Sequence, residues 1–474
     1  MRCSLFAGLL GLLALHAQVP PSAPFIASLS PATATVGEIV TISGERFGAY
    51  TSNSVLRIGS CPSAPGAPGG VLRQVSADGV IAWADTQISF VVPSRAIGSV
   101  MVQASNGQSS NTGDLVVADA CASEARVSVA VADFDGSGRL DVAAADSLTN
   151  MVAIFRGNGD GTFQAQSSLV AAPGPGSVSA ADFNLDGRPD LAVATARNGK
   201  ILIFLGNGDG TFSEPLDFIA GDYPSGLAVA DLNGDGNPDL VSINLGLDTV
   251  AGLLGDGTGA FGNALSTRVG VAPRSLAAAD VNNDGHIDVV IANQGSGTVS
   301  VLLGRGDGTF TVSPNLAVTA SPSSIALADF DGDHLIDVAI GDAQSNTVSV
   351  LIGNGNGSFR NGQALSVGPA PSFLAVGDFD GDGNADLAVA NSAASSISVL
   401  LGNGKGSFRM TVFSTCLHPS SIAVADLNGD GIPDLAVGCV QPFAIWILLG
   451  NGDGSFQGAT LQPIVGIPHR IRPR

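Results

Sequence analysis

A chain of 474 residues has room for more than one domain and for sizeable cores. Its formal charge of −21, from 20 basic and 41 acidic residues, excludes the basic surface that nucleic acid would need. Sixty-three glycines and a charged fraction of 13% point to short strands and many turns.

The first stretch, MRCSLFAGLLGLLALHAQ, has one arginine, an apolar run from Leu5 to Leu15 and a small residue at Ala17. It reads as a secretory signal over residues 1–17, too short for a membrane span, with Cys3 ahead of the apolar run rather than at a lipid-anchor position. The expectation is a secreted or cell-surface protein without a transmembrane segment. Cys61, Cys121, Cys416 and Cys439 then remain, an even number that permits two disulfides in an exported chain. If Ser421 to Asp426 and Asp434 to Cys439 are antiparallel neighbours, Cys416 falls close to Cys439, which leaves Cys61 for Cys121; free thiols are the alternative.

Residues 22–119 differ in kind from the remainder of the chain. Alternation in Glu38 to Ser43 and Ser99 to Ala104, with turn residues between, argues a small antiparallel sandwich. An early SP, a glycine before a TI-S-G run, an FG, and a late VP followed by G-x-x-x-V resemble the TIG (IPT) immunoglobulin-like family, which implies a spacer or interaction module.

After a linker from Ala118 to Glu124, a repeat occupies the chain to its end, 122–474. Its centre is a loop such as DFDGDGNAD, Asp378 to Asp386, with carboxylates at positions one, three, five and nine and Gly383 at position six for a left-handed bend. First aspartates stand at Asp133, Asp182, Asp231, Asp280, Asp329, Asp378 and Asp426, five steps of 49 and one of 48. A turn phenylalanine (Phe163, Phe212, Phe261, Phe310, Phe359, Phe408, Phe456) and a proline (Pro175, Pro224, Pro273, Pro322, Pro371, Pro419) keep the same period, which places the single deletion between Phe408 and Pro419. Each unit holds four strand-like runs, in the fifth SSIALADF, IDVAIGD, TVSVLIG and FRNGQALSV, the pattern of a propeller blade. Small residues before the loop (Ala132, Ala181, Ala230, Ala279, Ala328, Gly377, Ala425) suit an innermost strand crowded at the axis, and Phe134, Phe183, Leu232, Val281, Phe330, Phe379 and Leu427 are expected core.

The fold class expected is all-β: an immunoglobulin-like sandwich followed by a seven-bladed β-propeller of repeats of about 49 residues. The D-x-[DN]-x-[DNS]-G-x-x-D motif and the FG-like turn resemble the FG-GAP (VCBS) repeats of integrin α-subunit propellers. That resemblance implies up to seven structural calcium ions. It implies as ligands Asp133, Asp135, Ser137 and Asp141; Asp182, Asn184, Asp186 and Asp190; Asp231, Asn233, Asp235 and Asp239; and Asp280, Asn282, Asp284 and Asp288. In the last three loops they are Asp329, Asp331, Asp333 and Asp337; Asp378, Asp380, Asp382 and Asp386; and Asp426, Asn428, Asp430 and Asp434.

Carboxylates at these positions number 23 of the 41 acids, and seven divalent ions would bring −21 to about −7. One such loop could equally be an Asx-rich turn bonding its own backbone. Seven, each with three or four acids that repel one another without a cation, favour the metal. Ser137 at position five and His334 at position six depart from the pattern, so the first and fifth loops are expected to bind most weakly.

Other chemistry is thin. Arg305, Gly306 and Asp307 spell the integrin-ligand tripeptide but differ from the sister GNGDG turns at one residue, and those turns lead into strands, not helix N-termini. No HExxH, GxSxG or Ser-x-x-Lys occurs, so no enzyme is expected. Strand parity puts the acidic loops on one face and the more variable connections, Arg197 to Lys200, Tyr223, Gln294, Asp342 to Asn346 and Gln441 to Trp446, on the other. The function expected is a monomeric binding or adhesion module for an extracellular protein or glycan. A lectin, or an accessory protein of polysaccharide degradation, is the alternative.

Overall fold

The computed structural model describes nine strands between Phe25 and Val117, and residues 126–464 apart from 148, 165–166, 319 and 442. Two compact units divide between Ala125 and Arg126. The first is a two-sheet sandwich. One sheet orders Phe25–Ser30, Ile39–Glu45, Gln87–Val91 and Val80–Trp83; the other orders Thr33–Ala34, Gly113–Val117, Ala96–Gln103, Val55–Ser60 and Arg73–Gln74. The short strand Thr33–Ala34 pairs parallel with Gly113–Val117, Thr33 opposite Val116.

The second unit is seven antiparallel sheets in sequence order, a seven-bladed β-propeller whose blades begin at Val127, Pro175, Pro224, Pro273, Pro322, Pro371 and Leu417. Blade 5 shows the plan: Pro322–Ala328 innermost, then Asp337–Asp342, Thr347–Gly353 and Phe359–Ser366 outward. Second strands such as DVAAAD, DLAVAN and DVVIAN are buried at every residue. Each is flanked by a blade on both sides, which is why these strands read as unbroken runs of small apolar residues instead of alternating. Outer strands such as Leu216–Ile219 are largely exposed.

Blades adhere through seven apolar clusters, each shared by two neighbours. The cluster of Val127, Val129, Val142 and Phe155 with Leu427, Ala436, Ile445 and Ile447 joins blade 1 to blade 7 and closes the ring. No strand is exchanged to do so, because each blade is built from consecutive segments. Serine hydroxyls take that part instead. Ser420 and Ser421 Oγ donate to the Val127 carbonyl at 2.8 and 2.6 Å, and the Val127 N–H donates to Ser420 Oγ at 3.1 Å. Ser420 is the extra residue of a bulge between Pro419 and Ser421. The same bulge serine links blade 5 to 6 (Ser323 to the Pro371 carbonyl, 2.5 Å) and blade 6 to 7 (Ser372 to the Pro419 carbonyl, 2.8 Å).

A disulfide joins Cys416 to Cys439 with Cα atoms 5.9 Å apart, where the repeat is one residue short. The pairing agrees with the expected strand neighbours, Pro419 lying opposite Cys439. Cys61, Cys121 and the signal-like residues 1–17 lie outside the described residues.

Two expected surface positions are not surface loops. Trp446 lies inside the strand Ala444–Gly450, with its Nε1 buried, and Asp342 ends a strand as a fully buried residue. Asp342 accepts N–H bonds from Ser321, Gln344 and Ser345, and so shapes the loop from beneath.

Candidate metal centres

Each acidic loop joins the first strand of its blade to the second, and its four side chains differ sharply in environment. Positions one and three are half-buried, position five is exposed and position nine is fully buried, in all seven copies. The position-nine aspartates are Asp141, Asp190, Asp239, Asp288, Asp337, Asp386 and Asp434.

Position nine is a staple as well as a candidate ligand. Asp386 Oδ2 accepts the N–H of Phe379 at 2.8 Å, and Oδ1 accepts the N–H of Gly402 at 2.6 Å. The same pair of bonds recurs in the other six blades, from the position-two residue and from the glycine that opens the turn after the third strand. That glycine (Gly157, Gly206, Gly255, Gly304, Gly353, Gly402, Gly450) is dictated by space, since a Cβ there would overlap the carbonyl oxygen of loop position eight. The first glycine of each G-x-G-x-G turn therefore serves the acidic loop, a role its turn motif did not reveal.

The remaining oxygens hold the loop's own backbone. Asp378 Oδ1 accepts from Gly381 and Asp382, and Oδ2 from Gly383. Asp382 Oδ1 accepts from Asn384 at 2.9 Å. Positions four and six are both left-handed throughout, and two residues at position four are not glycine, Leu185 at φ 56° and Asn283 at φ 59°. His334, at position six, sits at φ 66° with its side chain almost fully exposed. His334→Gly is therefore expected to raise stability by about 1 kcal/mol, read by urea denaturation, because relief of the left-handed backbone outweighs the loss of an exposed contact with Asp329 Oδ2 at 3.7 Å.

Loop and ring are joined. The turn of the next blade places a glycine N–H on the position-two carbonyl, Gly210 on Phe134 at 2.9 Å, Gly406 on Phe330 at 2.9 Å and Gly454 on Phe379 at 2.9 Å. The turn phenylalanine then packs edge-on against the position-two ring, as in Phe134 with Phe212 at 5.6 Å and Phe379 with Phe456 at 5.7 Å. The tripeptide at 305–307 belongs to this scaffold. Arg305 Nε donates to Thr311 Oγ1 at 3.0 Å, and Asp307 Oδ1 accepts from the Thr309 N–H and hydroxyl, as its sister Asp209 does with Thr211.

Three of the seven loops group their carboxylates closely enough to hold a cation. Three carboxylates lie within 4.8 Å of one another at Asp133, Asp135 and Asp141, at Asp329, Asp331 and Asp333, and at Asp378, Asp380 and Asp386. Within the last two clusters, Asp331 Oδ1 and Asp380 Oδ1 are buried with no hydrogen-bond partner. A buried anionic oxygen left unpaired is costly, and an all-oxygen donor set fits a hard cation. The three clusters share an acid at position three, where the other loops have asparagine donating to position five, as Asn282 Nδ2 does to Asp284 at 2.9 Å. Anomalous occupancies in a calcium-limited crystal will rank the loops. If positions five and six govern, the loops at Asp133 and Asp329 fill last; if position three governs, they fill first together with the loop at Asp378.

Burial, with the neighbouring loop carboxylates adding to it, pushes every position-nine carboxyl up, Asp288 and Asp386 to about 6. The exposed turn aspartates Asp160, Asp209, Asp256, Asp307 and Asp453 are held down by the hydroxyl and N–H of a following Thr or Ser. A raised carboxyl binds its proton more tightly in the native state, so its contribution is lost as pH rises, for Asp288 and Asp386 between about 4 and about 6; a lowered one is lost as pH falls below about 4. In calcium-depleted buffer the melting temperature should peak near pH 4 and decline toward pH 6, and saturating calcium should remove that decline.

The ring of seven sheets, each four strands deep with the outer strand of the fourth split into Phe310–Val312 and Leu316–Ala317, and with carboxylate loops on one face, defines the chain as an acidic-loop β-propeller. It belongs to the FG-GAP-like repeat family, whose model matches residues 133–193, 182–242, 235–291, 280–340, 329–389 and 378–437. The IPT/TIG domain model matches residues 24–117. No curated protein matches the chain. Among solved structures, BBS1N in complex with ARL6DN, soaked with mercury, is 17% identical over 65% of this chain and 88% of its own, with a TM-score of 0.50. An auxiliary nutrient binding protein from Bacteroides ovatus is 13% identical over 92% and 97%, with a TM-score of 0.39. At such identities the likeness concerns the fold alone. Among the described residues no helix is long and apolar enough to cross a membrane.

Proposed function

We propose that this protein is an exported, calcium-braced propeller that binds an extracellular protein or glycan without catalysing a reaction, through the face opposite its acidic loops. The observation that carries the reading is a fixed backbone bearing changing side chains on that face. Asn150, Asp248 and Asn346 sit at the same left-handed position of the connections in blades 1, 3 and 5, where blades 2, 4 and 6 have Gly199, Gly297 and Ser395, and each accepts the N–H of the facing loop, from Gly174, Ala272 and Ala370 at 2.9, 2.8 and 2.9 Å. The residues just before that position read Arg197-Asn198, Gly246-Leu247, Gly295-Ser296, Gln344-Ser345 and Ala393-Ala394 from blade to blade. Rigid loops with varied side chains are how recognition surfaces are built. The acidic face, by contrast, is taken up by joints between blades.

Calcium is the ion best suited to these loops, since their oxygen donors lie on turns that tolerate flexible coordination. Export is supported by the apolar run from Leu5 to Leu15 and by the Cys416–Cys439 disulfide. Capture from the protein's own extracellular fraction, with and without calcium, tests the reading. A partner lost on replacing Arg197, Leu247 and Gln344 by alanine supports it, and one retained there but lost on changing the acidic face overturns it. Binding on a glycan array would make the protein a lectin. Polysaccharide cleavage that depends on a carboxylate outside the loops would make it an enzyme.

A further inference from the structure

Two of the seven loops carry an extra carboxylate, and the same two blades set an arginine of the outer strand against it. Only the loops at Asp329 and Asp378 hold four acids. Only their blades place arginine directly after the turn phenylalanine, Arg360 and Arg409, where the other blades have Gln164, Ser213, Gly262, Thr311 and Gln457. Both arginines lie on the outer strand of their own blade, opposite Ile352 and Leu401, and reach back to the loop. Arg360 Nη2 is 3.4 Å from Asp331 Oδ2, and Arg409 Nη2 is 4.0 Å from Asp380 Oδ2. These are the two position-three carboxylates whose other oxygen is buried without a partner. Each therefore turns one oxygen to a guanidinium from outside the loop and keeps the other for a ligand within it.

We propose that Arg360 and Arg409 are built-in counter-charges, which let the four-acid loops persist without a cation and hold their calcium affinity below what four carboxylates alone would give. The inference rests on the calcium reading of the loops. A fourth like charge within a few ångströms raises the cost of the empty loop, and a nearby positive charge lowers that cost. The same positive charge opposes an arriving divalent ion. Side-chain exposures of 57% for Arg360 and 74% for Arg409 keep the pairs solvent-screened, so they tune affinity and do not abolish it.

The test uses the full chain with Arg360→Gln and Arg409→Gln, singly and together, beside wild type. Arg268→Gln removes the same charge from an outer strand at the end away from the acidic loops, opposite Thr249. Two quantities are read, the melting temperature in calcium-depleted buffer and the calcium concentration giving half-maximal stabilisation. The double variant should melt earlier than wild type without calcium and match it at saturation, with the half-maximal calcium concentration lowered about two- to fivefold, the range expected of exposed ion pairs. Arg268→Gln should change neither. An equal loss with and without calcium would mean plain packing, and an unchanged or raised half-maximal concentration would also overturn the proposal. A wild type that ignores calcium removes the calcium reading and this inference together, whereas a responsive wild type with unresponsive variants removes this inference alone.

Discussion

Asp386→Ala is expected to cost the propeller about 4 kcal/mol, because two buried backbone donors lose their acceptor at once and each orphaned group costs about 1–3 kcal/mol. The donors are the N–H groups of Phe379 and Gly402, in a loop whose position-two ring packs on Phe456 of the next blade. Damage should therefore spread to the joint between blades 6 and 7. Asp386→Asn should fall between, since its amide keeps one acceptor and turns a donor toward the second N–H. Urea denaturation in calcium-depleted buffer measures the staple alone, and repetition with calcium adds the ligand role. A loss under about 1 kcal/mol for the alanine variant would refute the staple.

Removing calcium is the second large effect expected. With calcium at 100 times its dissociation constant, each filled loop adds about 2.7 kcal/mol. Were only the three loops that bring three carboxylates within 4.8 Å to fill, the gain would be about 8 kcal/mol, or about 15 °C at about 2 °C per kcal/mol. The raised position-nine carboxyls act in the same direction, because burial and neighbouring acids make the empty, ionised loop unfavourable near neutral pH. Differential scanning calorimetry before and after chelation decides the matter; an unchanged melting curve would contradict calcium as the brace.

The repeat made most of this architecture legible in advance. A motif returning every 49 residues announces blade number, strand order, the acidic positions and the phenylalanine and proline landmarks, because each is local and is written six or seven times. Even the Cys416–Cys439 disulfide could be read from strand neighbourhood within one blade. Features that join distant parts were not legible. The position-nine aspartate bonds to a glycine 16 residues later, and that glycine reads as an ordinary turn residue until the carbonyl beside it is seen. Leu185 and Asn283 take left-handed backbone where no glycine signals it. Trp446, expected in a variable loop, belongs to a strand, because blade 7 resumes pairing at Ala444.

The sequence by itself thus determined the class of ring and the identity of its acidic loops, since period and residue type are one-dimensional information. Tertiary structure alone decided how the ring closes, through Ser420 and Ser421 on Val127, and which carboxylates receive an outside arginine. Both depend on the approach of groups from different strands or blades, at distances that no spacing along the chain encodes.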